Sequence, residues 1–328
     1  MLEAQSSAYD GPRARTSVAV HRLIEHASHM AAPFPRQLLE PLLSAAVSSS
    51  TPWLLELMRT QAARKRPRDL LAQFERDAFV ATGVLDLRLA HRLDGLALRA
   101  ADGYDALQLS PVAPLGVCSS LAPTSQDRTL SALRGTEVVS DPTNVLALEC
   151  AQRLGADPER APRLCTVHQV VRAQPLPPRA GHTRHFRMFA LVDAGPGLAE
   201  DGFEVAAIAR QIGVFDRLLD LAAAELPCTY PKRRVLVRTD ASRATLGTRL
   251  CERLRQEFPH LALEREPFES AYYAGVRVGF GPHTAAGEWS AIGDIGVFDW
   301  MVKLTSNRRM RFVAGGFGLQ LLPLLFAK

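Results

Sequence analysis

Arg172, Arg179, His182, Arg184, His185 and Arg187 crowd into and around one Pro/Gly-rich loop, PLPPRAGHT. Guanidinium forks match the geometry of phosphates and carboxylates, so this density suits an anion site such as one for a nucleotide. The same charge also suits a solvated basic loop. Asp141, in EVVSDPTN, is a second chemical group. Its carboxylate either caps a helix starting near Thr143 or Asn144, or faces a ligand amine. The five cysteines, at 118, 150, 165, 228 and 251, are scattered and form no C-x-x-C pair. That usage fits reduced thiols in a cytosolic protein and points to no metal site. No phosphate-binding P-loop, G-x-S-x-G elbow or H-E-x-x-H pair occurs, so no catalytic residue is assigned.

The basic loop sits between two strand-like runs. LCTVHQVVRA is apolar and β-branched, and RHFRMFALVD sets Phe186, Met188, Ala190 and Val192 at alternating positions. Together they read as a hairpin over residues 163–195. Before it, RQLLEPLLSAAV, TPWLLELMRTQAA and DLLAQFERDAF carry helical spacing within a helical extension over residues 1–84. LDLRLAHRLDGLALRAA, residues 85–101, is a longer amphipathic helix, followed by a strand ending in prolines at YDALQLSPVAPLG. After the hairpin the expected order is a long helix, a strand (KRRVLVRTDAS), a helix (TLGTRLCERLRQEF) and a strand pair (LALEREPFESAYYAGVRVGFG). SAIGDIGVFDWMVKLTSN follows, Gly-punctuated and ending in a helix. MRFVAGGFGLQLLPLLFAK then reads as a strand, a glycine turn and a closing helix. Strands, hairpins and helices in this order indicate α+β or mixed α/β; the architecture expected is α+β, a mostly antiparallel sheet flanked by helices.

At 328 residues and 47% hydrophobic, the chain can bury a sizeable core. Its net charge is +5, from 39 basic and 34 acidic residues. That balance excludes a polybasic nucleic-acid protein by composition and allows an anionic ligand. No apolar run is long enough for a membrane span and no signal peptide is visible, so a cytoplasmic location is expected.

Over residues 85–328 the order of these pieces resembles a class II aminoacyl-tRNA synthetase catalytic core. The branch it resembles is that of histidyl-tRNA synthetase, which includes the regulatory subunit of ATP phosphoribosyltransferase. LSPVAPLG resembles motif 1, the family's dimer interface, which implies a homodimer through residues 85–115. The hairpin resembles motif 2, and Arg172 sits where the family's arginine contacts the ATP α-phosphate, with Arg179, Arg184 and Arg187 as further phosphate ligands. VSDPT resembles the segment with an acidic residue near the substrate amine, which implies amino-acid contacts from Asp141 and Thr143. ESAYYAG resembles the histidine-binding tyrosine pair, Tyr272 and Tyr273. SAIGDIGVFDW resembles the glycine-rich strand, with Phe298 and Asp299 kept, and VAGGFGLQLL resembles motif 3. On a strand, adjacent tyrosines face opposite sides, so one of the two is expected to reach a ligand.

The departures fall where ATP is handled. Leu321 stands at the motif 3 arginine, Met188 and Val192 at the glutamine and glutamate of the second motif 2 strand, and Val139 at the arginine before the acidic residue. Phe268 lies near the arginine expected before the tyrosines, and Val297 stands at the arginine of the glycine-rich strand. Losing one transition-state contact of this kind costs about 2.7–4 kcal/mol. The sequence stops after motif 3 with no anticodon-binding domain following, so tRNA charging is not expected. The resemblance thus implies a non-charging paralogue that binds an amino acid, such as histidine, or a nucleotide, and regulates a partner enzyme. The alternative is an amino-acid-activating ligase using ATP with magnesium; otherwise no cofactor is implied.

Overall fold

The computed structural model describes residues 36–174 and 183–327. The chain divides into two compact units that part between Gln61 and Ala62. In the first, helix α1 (Arg36–Ser44) precedes α2 (Val47–Ala63), which crosses the boundary and buries none of its residues. In the second, α3 (Pro67–Arg76) begins on a proline whose missing N–H is no loss at a helix start. Helix α4 (Leu87–Ala100) follows, capped by Asp86, which accepts from the amides of Arg88 and Leu89.

The core of the second unit is an eight-stranded sheet. Its strands are β1 (Asp105–Ala106), β5 (Arg163–Val171), β6 (His185–Pro196), β7 (Arg234–Thr239), β8 (Ala262–Pro267), β9 (Val276–Gly281), β10 (Gly293–Phe298) and β11 (Met310–Gly318). They lie in the order β1-β5-β6-β11-β10-β9-β7-β8. The run from β5 to β7 is antiparallel throughout, and the outer pairs β1–β5 and β7–β8 are parallel. A small sheet of β2 (Val112–Pro114), β3 (Ser131–Ala132) and β4 (Thr136–Val138) stands apart from it, with the short helix α5 (Val117–Leu121) between β2 and β3 in the chain. The α+β expectation and the antiparallel platform therefore hold.

Alternation along β5 and β6 divides the core in two. Cys165, Phe189 and Leu191 point to a cluster under α4, α7 (Gly202–Glu225) and α8 (Ala244–Glu257). Leu164, Met188, Ala190 and Val192 point the other way, toward α6 (Pro142–Ala156) and α9 (Trp300–Thr305). On the first face Phe215 of α7 meets Phe189, Phe280 and Phe317 with ring centroids 5.0–6.3 Å apart. Buried Asp193 fastens β6 to that helix. It accepts from Tyr104 Oη and Gln211 Nε2, each at 2.8 Å, and pairs with Arg210. Burial pushes the Asp193 carboxyl above its ordinary value against the pull of those donors.

Two local expectations are corrected. The run over residues 261–281 supplies two strands that are not neighbours. β7 lies between them, pairing in parallel with β8 and antiparallel with β9. The glycines at 315 and 316 form no turn; they lie inside β11, opposite Ile295 and Asp294. Helix α10 (Leu321–Phe326) closes the described chain.

Candidate functional site

The basic hairpin disperses its cations. Arg187, on the face of β6 that packs under α4 and α7, forks onto Asp94 of α4: its Nε donates to both carboxylate oxygens, at 2.8 and 3.0 Å, and Nη2 adds a third contact. The Asp94 bond raises the Arg187 pKa against burial. Arg184 turns outward, donates to the carbonyls of Ala173 and Gln174, and lies over the Phe79 ring at 5.1 Å. It lines an open cleft of about 740 Å³ with Lys65, Gln73 and Arg76. His185 bonds the Ala81 carbonyl and Gln169. Arg179 and His182 lie outside the described residues. Arg184 pairs with Arg172 through the backbone, the Arg172 amide donating to the Arg184 carbonyl at 2.8 Å, but its guanidinium is bonded to the Ala173 and Gln174 carbonyls. Arg187 is drawn away to Asp94, 93 residues distant in sequence.

Arg172 itself sits one residue past the end of β5. Its Nε donates to the Ser140 carbonyl at 3.0 Å, and its Nη2 lies 3.6 Å from Met188 Sδ and 4.0 Å from Asp141 Oδ2. Its guanidinium lies 5.1 Å from the Phe186 ring centroid. Asp141 is the N-cap of α6, and a single oxygen does the capping. Oδ1 accepts from the Thr143 amide at 3.0 Å and the Thr143 hydroxyl at 2.7 Å. Oδ2 is left toward Arg172. The two uses weighed for this carboxylate, helix cap and ligand contact, are therefore compatible, one oxygen each. Thr143 is buried behind it, its hydroxyl proton given to the cap.

Tyr272 and Tyr273 do not face opposite sides. They stand in a bend between β8 and β9, not on a strand, and the alternation rule does not apply. Their rings meet edge-on at 4.9 Å, and both touch Phe298, at 5.5 and 5.4 Å. Phe298 stacks on Trp300 at 4.2 Å, and Phe268 meets the Tyr273 ring at 5.7 Å. Room for Tyr273 comes from Gly296, where a Cβ would stand 2.4 Å from the ring. Burial raises the Tyr272 hydroxyl pKa, and the nearby Asp141 carboxylate, Tyr273 and Cys118 raise it further, while Arg172 pulls it down. These groups identify its surroundings. Burial, then Asp294, raise Tyr273, to which Asp294 is bonded. Asp299 does not join them: it is more than half exposed and pairs with Lys303 at 3.0 Å.

Positions where the resemblance expects charge hold packed apolar groups. Met188, Val192 and Val139 belong to the cluster on the site face, and Val297 to the one on the opposite face. Leu321 packs against that opposite cluster. Sequence reasoning missed Asp294 and Arg277. The signal was available in the alternation of Asp294, Gly296 and Phe298 along β10, but not in which residue β9 would set beside them.

No family model matches this sequence, and no curated protein matches it either. Solved structures do. An ATP phosphoribosyltransferase regulatory subunit/histidyl-tRNA synthetase from Bacillus halodurans C superposes with a TM-score of 0.57 at 13% identity, over 79% of this chain and 82% of that one. Apo histidyl-tRNA synthetase from S. aureus gives 0.51 at 9% identity, over 72% and 64%. A histidine–tRNA ligase subunit from Alicyclobacillus acidocaldarius gives 0.51 at 11% identity, over 76% and 96%. Sheet order, hairpin and these superpositions agree: the chain has the fold of a class II aminoacyl-tRNA synthetase-like core, of the kind found in histidyl-tRNA synthetase-like structures.

Proposed function

We propose that this protein is a non-charging histidyl-tRNA synthetase-like paralogue that binds an amino acid and regulates a partner enzyme, as an ATP phosphoribosyltransferase regulatory subunit does. One observation carries the reading. The sheet face keeps groups suited to an amino acid's two charges, Arg172 for the carboxylate and Asp141 Oδ2 for the ammonium, 4.0 Å apart. The places expected to grip ATP on that face are apolar: Met188 is 8% exposed and Val192 fully buried. Magnesium takes oxygen ligands, and phosphates take cations. A thioether and an isopropyl group supply neither, so these residues do not fit a magnesium nucleotide, and the reading includes no adenylate-forming step.

The partner enzyme and a homodimer through residues 85–115 belong to the same proposal. Leu87, Leu98 and Leu115 are exposed along that stretch. No helix among the described residues is long and apolar enough to cross a membrane.

Calorimetric titration with histidine, other amino acids and ATP tests the reading. Binding of an amino acid in the absence of ATP is expected, with Arg172→Met weakening it roughly ten- to a hundredfold, the worth of a hydrogen bond to a charged group. No binding of any amino acid overturns the proposal, whether or not ATP binds. Amino-acid-dependent pyrophosphate exchange would replace it with the ligase reading.

A further inference from the structure

On the face of the sheet opposite Arg172, a cavity of about 230 Å³ opens beside the outermost strand, β8. Val235 of β7 and Leu263 of β8, partners in the parallel ladder, line its strand side. Leu254, in the last turns of α8, and Leu261, in the return to β8, line it from the helix side. Val235, Leu254 and Leu261 are buried. Phe258, the residue that ends α8, adds a further apolar wall, and α7 holds that wall in place. A Cβ at Gly213 of α7 would stand 3.2 Å from the Phe258 ring. His260 meets the same ring edge-on, with its Nε2 2.8 Å from Asp216 Oδ2 of α7.

Folded interiors pack densely, so an apolar volume of this size costs the fold contacts. An apolar cavity of about 150 Å³ already takes a benzene-sized guest. The lining is apolar except for Arg255, which is exposed at the rim together with Pro259. The other two arginines of α8 are paired, Arg249 with Asp201 and Arg253 with Glu257. Arg255 has no ion pair or hydrogen bond among the described residues. A last-turn arginine gains from the helix carbonyls without any ligand. This one also stands at the mouth of an apolar cavity with its donors unspent. No acidic side chain is among the lining residues. An ammonium group would enter without a partner, whereas a carboxylate would find one.

We propose that this cavity is a second binding site, for a small carboxylate with a branched aliphatic or phenyl tail. The tail fills the space among Val235, Leu254, Phe258 and Leu263, and Arg255 takes the carboxylate at the rim. The wall is already fixed against α7, so little ordering opposes entry. The site is independent of the amino-acid reading above: it lies on the other face of the sheet, and neither depends on the other.

The test titrates the full chain with ligands of one carbon skeleton: isocaproate, its uncharged amide isocaproamide, and leucine, which adds an α-ammonium. Binding is read by NMR from the methyl groups of Val235, Leu254, Leu261 and Leu263, so occupancy elsewhere does not count. Isocaproate is expected to shift these methyls saturably. The amide should bind about tenfold or more weakly, the worth of a hydrogen bond to a charged group. Leucine should also bind here more weakly than the acid. Arg255→Gln should bring the acid down to the affinity of the amide, and Leu263→Phe, which fills the cavity, should weaken both. Circular dichroism and thermal unfolding verify that both variants fold. Absence of a saturable shift at these methyls overturns the assignment, as does equal affinity for the acid and either analogue. So does an acid preference that survives in folded Arg255→Gln, or undiminished binding in folded Leu263→Phe. Histidine titration measures the site at Arg172 separately, so either site can fail without the other.

Discussion

The two faces of one hairpin treat arginine differently. On the face under α4 and α7 Arg187 makes three contacts to a single carboxylate, with Asp94 only 14% exposed. On the other face Arg172 makes one bond to a carbonyl and stands 4.0 Å from its nearest carboxylate. The difference separates a cation used up by the fold from one the fold holds but leaves with bonding capacity. Charge density in a sequence does not make that distinction; the number and distance of partners does.

The comparison is sharpest at stability. Arg187→Met strands a largely buried Asp94 and should cost about 1–3 kcal/mol in urea unfolding. Arg172→Met should cost about 1 kcal/mol or less while damaging ligand binding. Equal losses from both would erase the distinction between the faces. A second contrast comes from neighbouring glycines of β11. A Cβ at Gly315 would stand 2.5 Å from Gln211 Oε1, and that side chain is pinned by Asp193 and the Val313 carbonyl. Gly315→Ala should therefore cost roughly 1–3 kcal/mol by overpacking. At Gly316 the obstacle, at 2.2 Å, is the terminal methyl of Met188, a flexible group that can swing aside. Gly316→Ala should cost less than Gly315→Ala by thermal unfolding, and the reverse order would show the site face to be the stiffer one.

The smallest effect is on pH. His168 pairs with Met188 across the hairpin, and burial, then Arg187, lower its pKa below 6.5. The unfolded chain then takes up its proton first as pH falls. Its contribution to stability is complete above about 6.5 and is lost below it. His168→Gln should flatten that acid-side decline, measured as unfolding free energy against pH.

The hairpin was legible because two β-branched runs flank a Pro/Gly loop, and Asp141 because a cap has a local signature. The orientation of the tyrosines was not legible, since strand alternation does not hold in the bend where they stand. Arg187 was assigned to a ligand because Asp94 lies 93 residues away, and no local pattern announces such a partner. Asp294 escaped for the same reason: its neighbours, Tyr273 and Arg277, arrive through the register of β9 on β10.

The division of labour within Asp141 reaches beyond recognition. The oxygen facing Arg172 and the oxygen starting α6 belong to one carboxylate, so an occupant that draws on the first also steadies the second. Slowed amide exchange at Thr143 on ligand addition would then report occupancy from inside the helix itself. On the proposed reading, a bound amino acid would thereby reach a rigid element of the fold with no large domain movement required.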